Sequence, residues 1–393
     1  MRMLLLTAGS RGDVEPFAVL ARRARDRGHE VILALPDNSG VDIAGITVRS
    51  LGADFNRLVT DQGVSPVAAM RKLSTVVRPT MRAVIVESAR IGLEYAPEVI
   101  LAHPKVLSAP LIAGRVGATL WNVEMVPASI PTRAFPAPGT VGGSLGALNA
   151  LTYRAAAGAA AIFRGEVREA AALLGDPVDV EPRGHLLPIS AHILPRPADW
   201  PSSVVMTGAW TDERDRAGDA GLTRFLEAGD AVSVGFGSMV RGDAAARGAA
   251  FVRAARERGL RTLVLRGWGG ADVPPDLTGD DVLVLDAASH AAVFSRVRAA
   301  VHHGGAGTTH AAVRASAPSV VVPFLADQPF WARLLQKQGL AAAPLWRRRV
   351  TTARAGIALD GALACAARAV EVGAAVAAED GALRAIEIIE RAD

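Results

Sequence analysis

Apolar residues along this chain gather into short unbroken runs rather than alternating with polar ones. Residues 3–7 form one such run and end in Ala8-Gly9-Ser10-Arg11-Gly12, and residues 231–236 form another and end in Gly237-Ser238. A brief apolar run that meets a Gly/Ser turn is what a parallel strand buried on both faces requires. After the first run the spacing becomes helical, with Pro16 placed near the first helical position and Gly28 just past the end. Glu30–Leu35 reads as the next strand. The second half repeats the rhythm. A helix over 244–258 stops at Gly259, strands follow over 261–266, 282–285 and 298–302, and a loop over 303–308 leads to a helix over 308–315 and a strand over 319–323. Strand–helix–strand units in both halves predict an α/β protein of two Rossmann-like, doubly wound domains.

The seam falls near Pro195–Asp219, where Pro195, Pro197 and Pro201 precede the charge run Asp212-Glu213-Arg214-Asp215-Arg216. This predicts an N-terminal domain over 1–205, a linker over 206–220, a C-terminal domain over 221–375 and a terminal helix over 376–393.

Composition narrows the classes. At 393 residues the chain fits two domains of ordinary size, and with 50% apolar and 21% charged residues it reads as a soluble globular protein. The one cysteine, Cys365, excludes an internal disulfide framework and fits a reducing cytoplasm. Its alanine-rich surroundings suit a buried inert thiol rather than a nucleophile. The N-terminal apolar run is too short for a signal peptide, and the alanine-rich run 155–163, closed by Arg154 and Arg164, is too short for a membrane span. The net charge is only +4, and Arg347-Arg348-Arg349 has no aromatic residues interleaved for base stacking, so it reads as a solvated face and nucleic acid is not expected as a partner.

The chemistry concentrates at Ala299–Thr309. An apolar run delivers His302 and His303 into Gly304-Gly305-Ala306-Gly307-Thr308-Thr309, where a helix begins. Small residues let backbone N–H groups approach an anion, and the helix start adds free donors and about half a positive charge. The segment lacks the Gly-Lys-Ser/Thr of a P-loop and the spacing of a dinucleotide fingerprint. Adjacent histidines on a strand end point to opposite faces, and no carboxylate or cysteine lies at ligand spacing, so no metal site is expected. His302 is expected to face the sheet core and His303 the loop.

This segment resembles the donor-binding signature of GT-B glycosyltransferases, the bacterial group that decorates glycopeptide antibiotics and related natural products, with its sterol-glucosyltransferase cousins. Three further motifs match in order: Gly9-Ser10-Arg11-Gly12-Asp13-Val14-Glu15-Pro16, Val234-Gly235-Phe236-Gly237-Ser238-Met239, and Pro323-Phe324-Leu325-Ala326-Asp327-Gln328-Pro329. The resemblance also takes in Pro131-Thr132-Arg133-Ala134-Phe135-Pro136 and spans nearly the whole chain. It implies a GT-B fold, two domains facing a cleft, and transfer of a hexose or deoxyhexose from a UDP- or dTDP-sugar to a hydroxyl of a small hydrophobic aglycone. The transfer would be inverting and need neither cofactor nor metal. A nucleotide-sugar epimerase and an inactive nucleotide-sugar-binding helper are the rival readings, and the oligomer would be a monomer or homodimer.

The resemblance also implies roles. His303 and the N–H groups of Gly305, Ala306, Gly307 and Thr308 would hold the diphosphate. Ser238 would add a hydroxyl, and Ser10, Arg11 and Gly12 would reach the phosphates from the other domain. Asp327 and Gln328 would bind sugar hydroxyls, or else serve as a helix cap followed by a solvated side chain. Relatives often carry a tryptophan near position 287; here Ala287-Ala288-Ser289-His290 stands instead, which moves base recognition to Ala288 and His290. Trp268 would pack near the base or act as a packing anchor. Asp13 would be the general base, or a cap for the first helix. Relatives often have a histidine near that place, but His29 lies beyond the first helix and is not assigned the role. Phe55, Met70, Trp121, Met125 and Phe135 are candidates for an apolar acceptor pocket, though a core would use the same residues.

Overall fold

A computed structural model describes residues 1–55, 73–211, 220–237, 239, 242–267 and 269–392. The chain forms two compact units. Unit 1 comprises Met1–Ala191, Arg196–Asp212 and Asp380–Asp393, and unit 2 comprises His192–Pro195 and Glu213–Glu379.

Unit 1 is built on seven strands among the described residues: β1 (Arg2–Leu6), β2 (Glu30–Leu35), β3 (Thr47–Ser50), β4 (Val99–Ala102), β5 (Thr119–Val123), β6 (Gly184–Leu187) and β7 (Val204–Met206). All pair in parallel in the order β3-β2-β1-β4-β5-β6-β7. Strand β1 explains the unbroken apolar run. Met3 and Leu5 face one hydrophobic layer and Leu4 and Leu6 the other, all fully buried. Helix α1 (Arg11–Asp26) covers the first layer, and α2 (Arg78–Tyr95), α3 (Ala109–Val116) and α5 (Arg164–Leu174) cover the second. Helix α4 (Asn149–Ala160) precedes α5.

Helix α1 begins earlier than its proline suggested. Ser10 is the N-cap, its backbone N–H donating to Asp13 Oδ2 at 2.8 Å, so Pro16 lies inside the helix rather than at its start. The reciprocal cap at Ser10 and Asp13 overrides the proline as the start signal. Gly28, with φ +86°, lies just past the helix end.

Unit 2 holds α6 (Ala220–Glu227), β8 (Ala231–Gly235), α7 (Ala244–Arg256), β9 (Arg261–Leu265), β10 (Val282–Leu285), α8 (His290–Phe294), β11 (Ala299–His302), α9 (Ala306–Arg314), β12 (Ser319–Val321), α10 (Gln328–Lys337), α11 (Thr352–Leu363) and α12 (Ala366–Ala377). Its strands are parallel in the order β10-β9-β8-β11-β12. Helix α9 starts two residues before the expected 308, directly at the glycine turn.

Residues 206–211, read from sequence as linker, belong to the first unit: Trp210 is buried edge-on against Phe17 at 6.5 Å, and its Nε1 donates to Thr207 Oγ1 at 2.9 Å. Residues 212–219 of that stretch lie outside the described residues. The terminal segment is divided. Helix α12 ends at Ala377 in unit 2, and α13 (Gly381–Ala392) lies on α1 in unit 1. Ala385, Ile386 and Ile389 share a buried cluster with Phe17 and Leu20, and Arg23–Asp380 (2.9 Å) and Arg27–Glu390 (2.8 Å) border it. His29 is occupied at the same seam, 3.0 Å from Glu390. Ile386→Ala is therefore expected to lower the stability of unit 1 by about 2–5 kcal/mol, read as a shift in its chemical-denaturation midpoint; no shift would mean that α13 does not brace α1.

Candidate functional site

In unit 1 the strand order reverses between β1 and β4. The loop after β1 leads into α1 on one face of the sheet, and the loop after β4 leads into α3 on the other. Loops at such a reversal diverge and leave room at the carboxyl ends of the strands. Asp13, from the first turn of α1, meets His103 and Lys105, from the loop after β4, at this point. Asp13 Oδ1 lies 3.3 Å from His103 Nε2 and 3.2 Å from Lys105 Nζ. Asp13 Oδ2 accepts from the Ser10 N–H at 2.8 Å and the Ser10 hydroxyl at 3.3 Å.

Gly9 makes the arrangement possible. Its φ is +139°, and a Cβ there would lie 2.1 Å from Asp13 Oδ2 and 2.8 Å from Lys105 Nζ. Partial burial alone would raise the Asp13 pKa. The Lys105 ammonium, the His103 ring and the Ser10 N–H outweigh it and hold the carboxyl well below the usual carboxylate range. His103 is buried, and desolvation together with the Lys105 charge pushes its pKa down against the pull of Asp13 and Glu124. Its Nδ1 accepts the Lys105 backbone N–H at 3.1 Å, which leaves the ring proton on Nε2, facing Asp13. Behind His103, at the end of β5, buried Glu124 accepts from His185 Nδ1 at 2.8 Å and from the Ser129 N–H at 3.2 Å.

His103 and Lys105 were not found from sequence. The available signal was positional: His103-Pro104-Lys105 follows the apolar run 99–102 as Gly9-Ser10 follows the first run. Of the residues expected beside Asp13, Ser10 is its cap partner, Arg11 is paired with Glu15 at 3.1 Å, and Gly12 is exposed in the first turn of α1.

The acceptor candidates divide differently from expectation. Trp121 and Met125 are buried in the same hydrophobic layer as Phe17, and β5 is covered on both faces. Phe135 packs edge-on against Trp200 at 6.2 Å, and Phe55 packs against the second layer. Met70 lies outside the described residues.

Unit 2 has the same reversal, between β8 and β11. Gly305 caps α9 with φ −65° and ψ +148°, and the first helical bond runs from Thr309 N–H to Gly305 O at 2.9 Å. The N–H groups of Ala306, Gly307 and Thr308 precede that bond and point out of the helix start. The His303 ring sits between two glycines. A Cβ on Gly305 would be 2.6 Å from its Nε2, and one on Gly237 would be 3.5 Å from its Cε1. His303 Nδ1 is buried and has no hydrogen-bond partner among the described residues. His302 faces inward, its Nδ1 accepting the Gly304 N–H at 3.1 Å, and His310 Nδ1 donates to Ala306 O at 2.8 Å. Burial pushes His302 down to about 3 and His303 and His310 down to about 4, so all three rings are neutral near pH 7.

The neighbouring expectations fare unevenly. Gln328 was expected to face a sugar, but it is buried and its oxygen accepts the N–H groups of Phe324 (2.7 Å) and Leu325 (3.1 Å). The tight turn at Ala326, with φ +52°, leaves those donors without a backbone ladder, and the amide supplies their acceptor. Asp327 Oδ2 accepts from Trp331 Nε1 at 2.8 Å. His290 is stacked on Phe294 at 4.7 Å, and Ala288 packs against the layer below it. Ser238 and Trp268 lie outside the described residues. Among the described residues no three His, Cys, Asp or Glu side chains converge as a metal-binding group, and no single helix is long and apolar enough to cross a membrane.

No family model matches the sequence. The chain is 34% identical over 422 residues to the O-mycaminosyltylonolide 6-deoxyallosyltransferase of Streptomyces fradiae, covering 99% of this chain and 97% of that one. It is 30% identical over 363 residues to the vancomycin aglycone glucosyltransferase of Amycolatopsis orientalis, covering 87% and 86%. Its fold matches a glycosyltransferase of Streptomyces sp. SF2575 solved with thymidine diphosphate, with a TM-score of 0.63 at 19% identity, covering 100% and 99%. With two parallel α/β sheets, a glycine-bounded helix start in the second, and a relative this similar along its whole length, the chain belongs to the bacterial natural-product glycosyltransferases of GT-B fold.

Proposed function

We propose that this glycosyltransferase moves a hexose or deoxyhexose from a dTDP- or UDP-sugar to a hydroxyl of a hydrophobic natural-product aglycone, with inversion and without a metal. The observation that carries the reading is the start of α9. Three outward N–H groups and His303, whose buried Nδ1 has no partner among the described residues, surround one small-residue turn. A neutral imidazole and helix N–H groups can donate to a diphosphate and stabilise it as it leaves. This is the charge stabilisation that a metal would otherwise supply. The thymidine diphosphate held by the solved relative, and the deoxyallosyl and glucosyl transfers named for the sequence relatives, support the donor class. The O-mycaminosyltylonolide and vancomycin aglycone in their names support a natural-product acceptor.

On the acceptor side Asp13 takes the proton. The acceptor O–H bond breaks toward the carboxylate, the oxygen pair forms the bond to the anomeric carbon, and the bond to the diphosphate leaves with its pair on the phosphate oxygen. With an oxocarbenium-like anomeric centre, the hydroxyl loses its proton late, so a weak carboxylate base suffices. Asp327, whose Oδ2 accepts from Trp331 Nε1, is the sugar-contacting candidate: a carboxylate suits the hydroxyls of a polyol.

A thermal-shift series with dTDP, UDP, GDP and their sugars tests the donor half. One diphosphate at a hundred times its Kd should stabilise the protein by about 2.7 kcal/mol, and no shift with any of them would sink the reading. Asp13→Asn should lower turnover by about 10²–10⁴-fold while keeping the nucleotide shift; unchanged turnover would remove Asp13 from the role. The histidines set an acid limit on unit 2. Unfolded imidazoles protonate near 6.5 but the folded ones only near 3–4, so the unfolded state binds more protons across that window. Stability should therefore hold above about pH 6.5 and fall as the pH drops from there toward 4. A denaturation midpoint of unit 2 that is flat from pH 7.5 to 5 would contradict the buried neutral rings.

A further inference from the structure

Among the described residues Asp13 has four hydrogen-bond donors, two on each oxygen, as many as its lone-pair sites. Oδ2 takes the N–H and hydroxyl of Ser10, and Oδ1 takes His103 Nε2 and Lys105 Nζ. An acceptor hydroxyl must therefore displace one of them before it can reach the carboxylate. Ser10 is held in the cap of α1. His103 is buried with its second nitrogen bound to the Lys105 backbone N–H, so its ring is pinned and has no lone pair with which to take a proton itself. Among the described residues Lys105 alone reaches Asp13 on a long flexible stem, with 44% of its side chain exposed. Among the described residues, two further charges on these loops are committed elsewhere. Glu124 accepts from His185 and Ser129, and Arg11 is paired with Glu15 on its own helix turn.

Resting on the reading of Asp13 as proton acceptor, we propose that Lys105 is a further catalytic residue that acts as an exchangeable latch: the acceptor hydroxyl takes its place on Asp13 Oδ1, and the released ammonium turns to the same acceptor oxygen. Before exchange the ammonium fixes the carboxylate in place. After exchange it faces the oxygen whose negative charge grows as the proton passes to Oδ1, and it stabilises that charge without entering the bond-making. The exchange breaks no covalent bond. The proton moves from acceptor oxygen to Asp13, and the lysine keeps all three of its own. Gly9 fits the same account, because a side chain there would occupy the space of both the carboxylate and the ammonium.

The test compares wild type, Lys105→Met and Lys105→Arg in the full chain, with Asp13→Asn as reference. One readout is the ¹³C titration of the Asp13 carboxyl, assigned by its loss in Asp13→Asn. The other is the pH dependence of kcat/KM with dTDP- or UDP-glucose and 4-methylumbelliferone as a simple hydroxyl acceptor. Lys105→Met should move the carboxyl midpoint up toward the ordinary carboxylate range and carry the acid limb of kcat/KM up with it. It should lower kcat by about tenfold or more with a smaller effect on KM, and Lys105→Arg should restore most of both. A carboxyl midpoint left in place by Lys105→Met would overturn the latch, even if activity fell. A midpoint that moves while kcat and the acid limb stay put would overturn it as well, by showing that the ammonium is not coupled to the reaction. Full turnover by Asp13→Asn would instead strike at Asp13 as proton acceptor and take the latch down with it.

Discussion

Both candidate sites depend on one topological constraint: each sheet places its first strand in the interior, and the chain returns to that strand's other side only later. The helices that follow the two strands at the reversal must then cover opposite faces. In unit 1 α1 lies over the layer of Met3 and Leu5, and α3 over the layer of Leu4 and Leu6. In unit 2 α7 and α9 divide between two layers in the same way, with Phe251 in one and Ala312 in the other. Where the chain parts, the strand ends are left uncovered, and backbone donors and polar side chains can gather there without breaking a core.

The two reversals have been given opposite chemistry. In unit 1 the gap holds a carboxylate surrounded by donors, with an ammonium and a neutral ring on one oxygen and a helix cap on the other. In unit 2 the start of α9 offers backbone N–H groups beside a neutral His303. A base for a hydroxyl proton suits the first and a seat for an anion suits the second. Glycines make both possible by leaving out atoms: Gly9 makes room for Asp13 and Lys105, and Gly305 and Gly237 make room for the His303 ring.

Some side chains changed meaning once neighbours were known. Gln328 looks like a polyol ligand beside Asp327, yet its oxygen completes the turn at Ala326. Trp121 and Met125 look like pocket residues in a stretch rich in Trp, Met and Pro, yet Trp121 lies on the interior strand β5, Met125 just past it, and both are buried in the layer that holds Phe17. In each case the residue type fits two environments equally well. Only the burial and the partner separate them.

The sequence by itself determined the α/β class, the strand runs, the helix start after His303 and the family. These follow from local periodicity, from glycine placement and from motifs that are contiguous along the chain. It also singled out Asp13, because that residue lies in a loop whose pattern is short and specific. It did not reveal His103 or Lys105, which lie ninety-odd residues away in sequence and reach Asp13 only because β4 pairs with β1. Nor could it show that Asp13 belongs to the third position of a helix cap, that residues 206–211 join the first core, or that α13 returns to α1. Those are contacts between distant segments. Their physical cause is parallel pairing, which joins strands that are never adjacent in the chain, and no periodicity along the sequence records it.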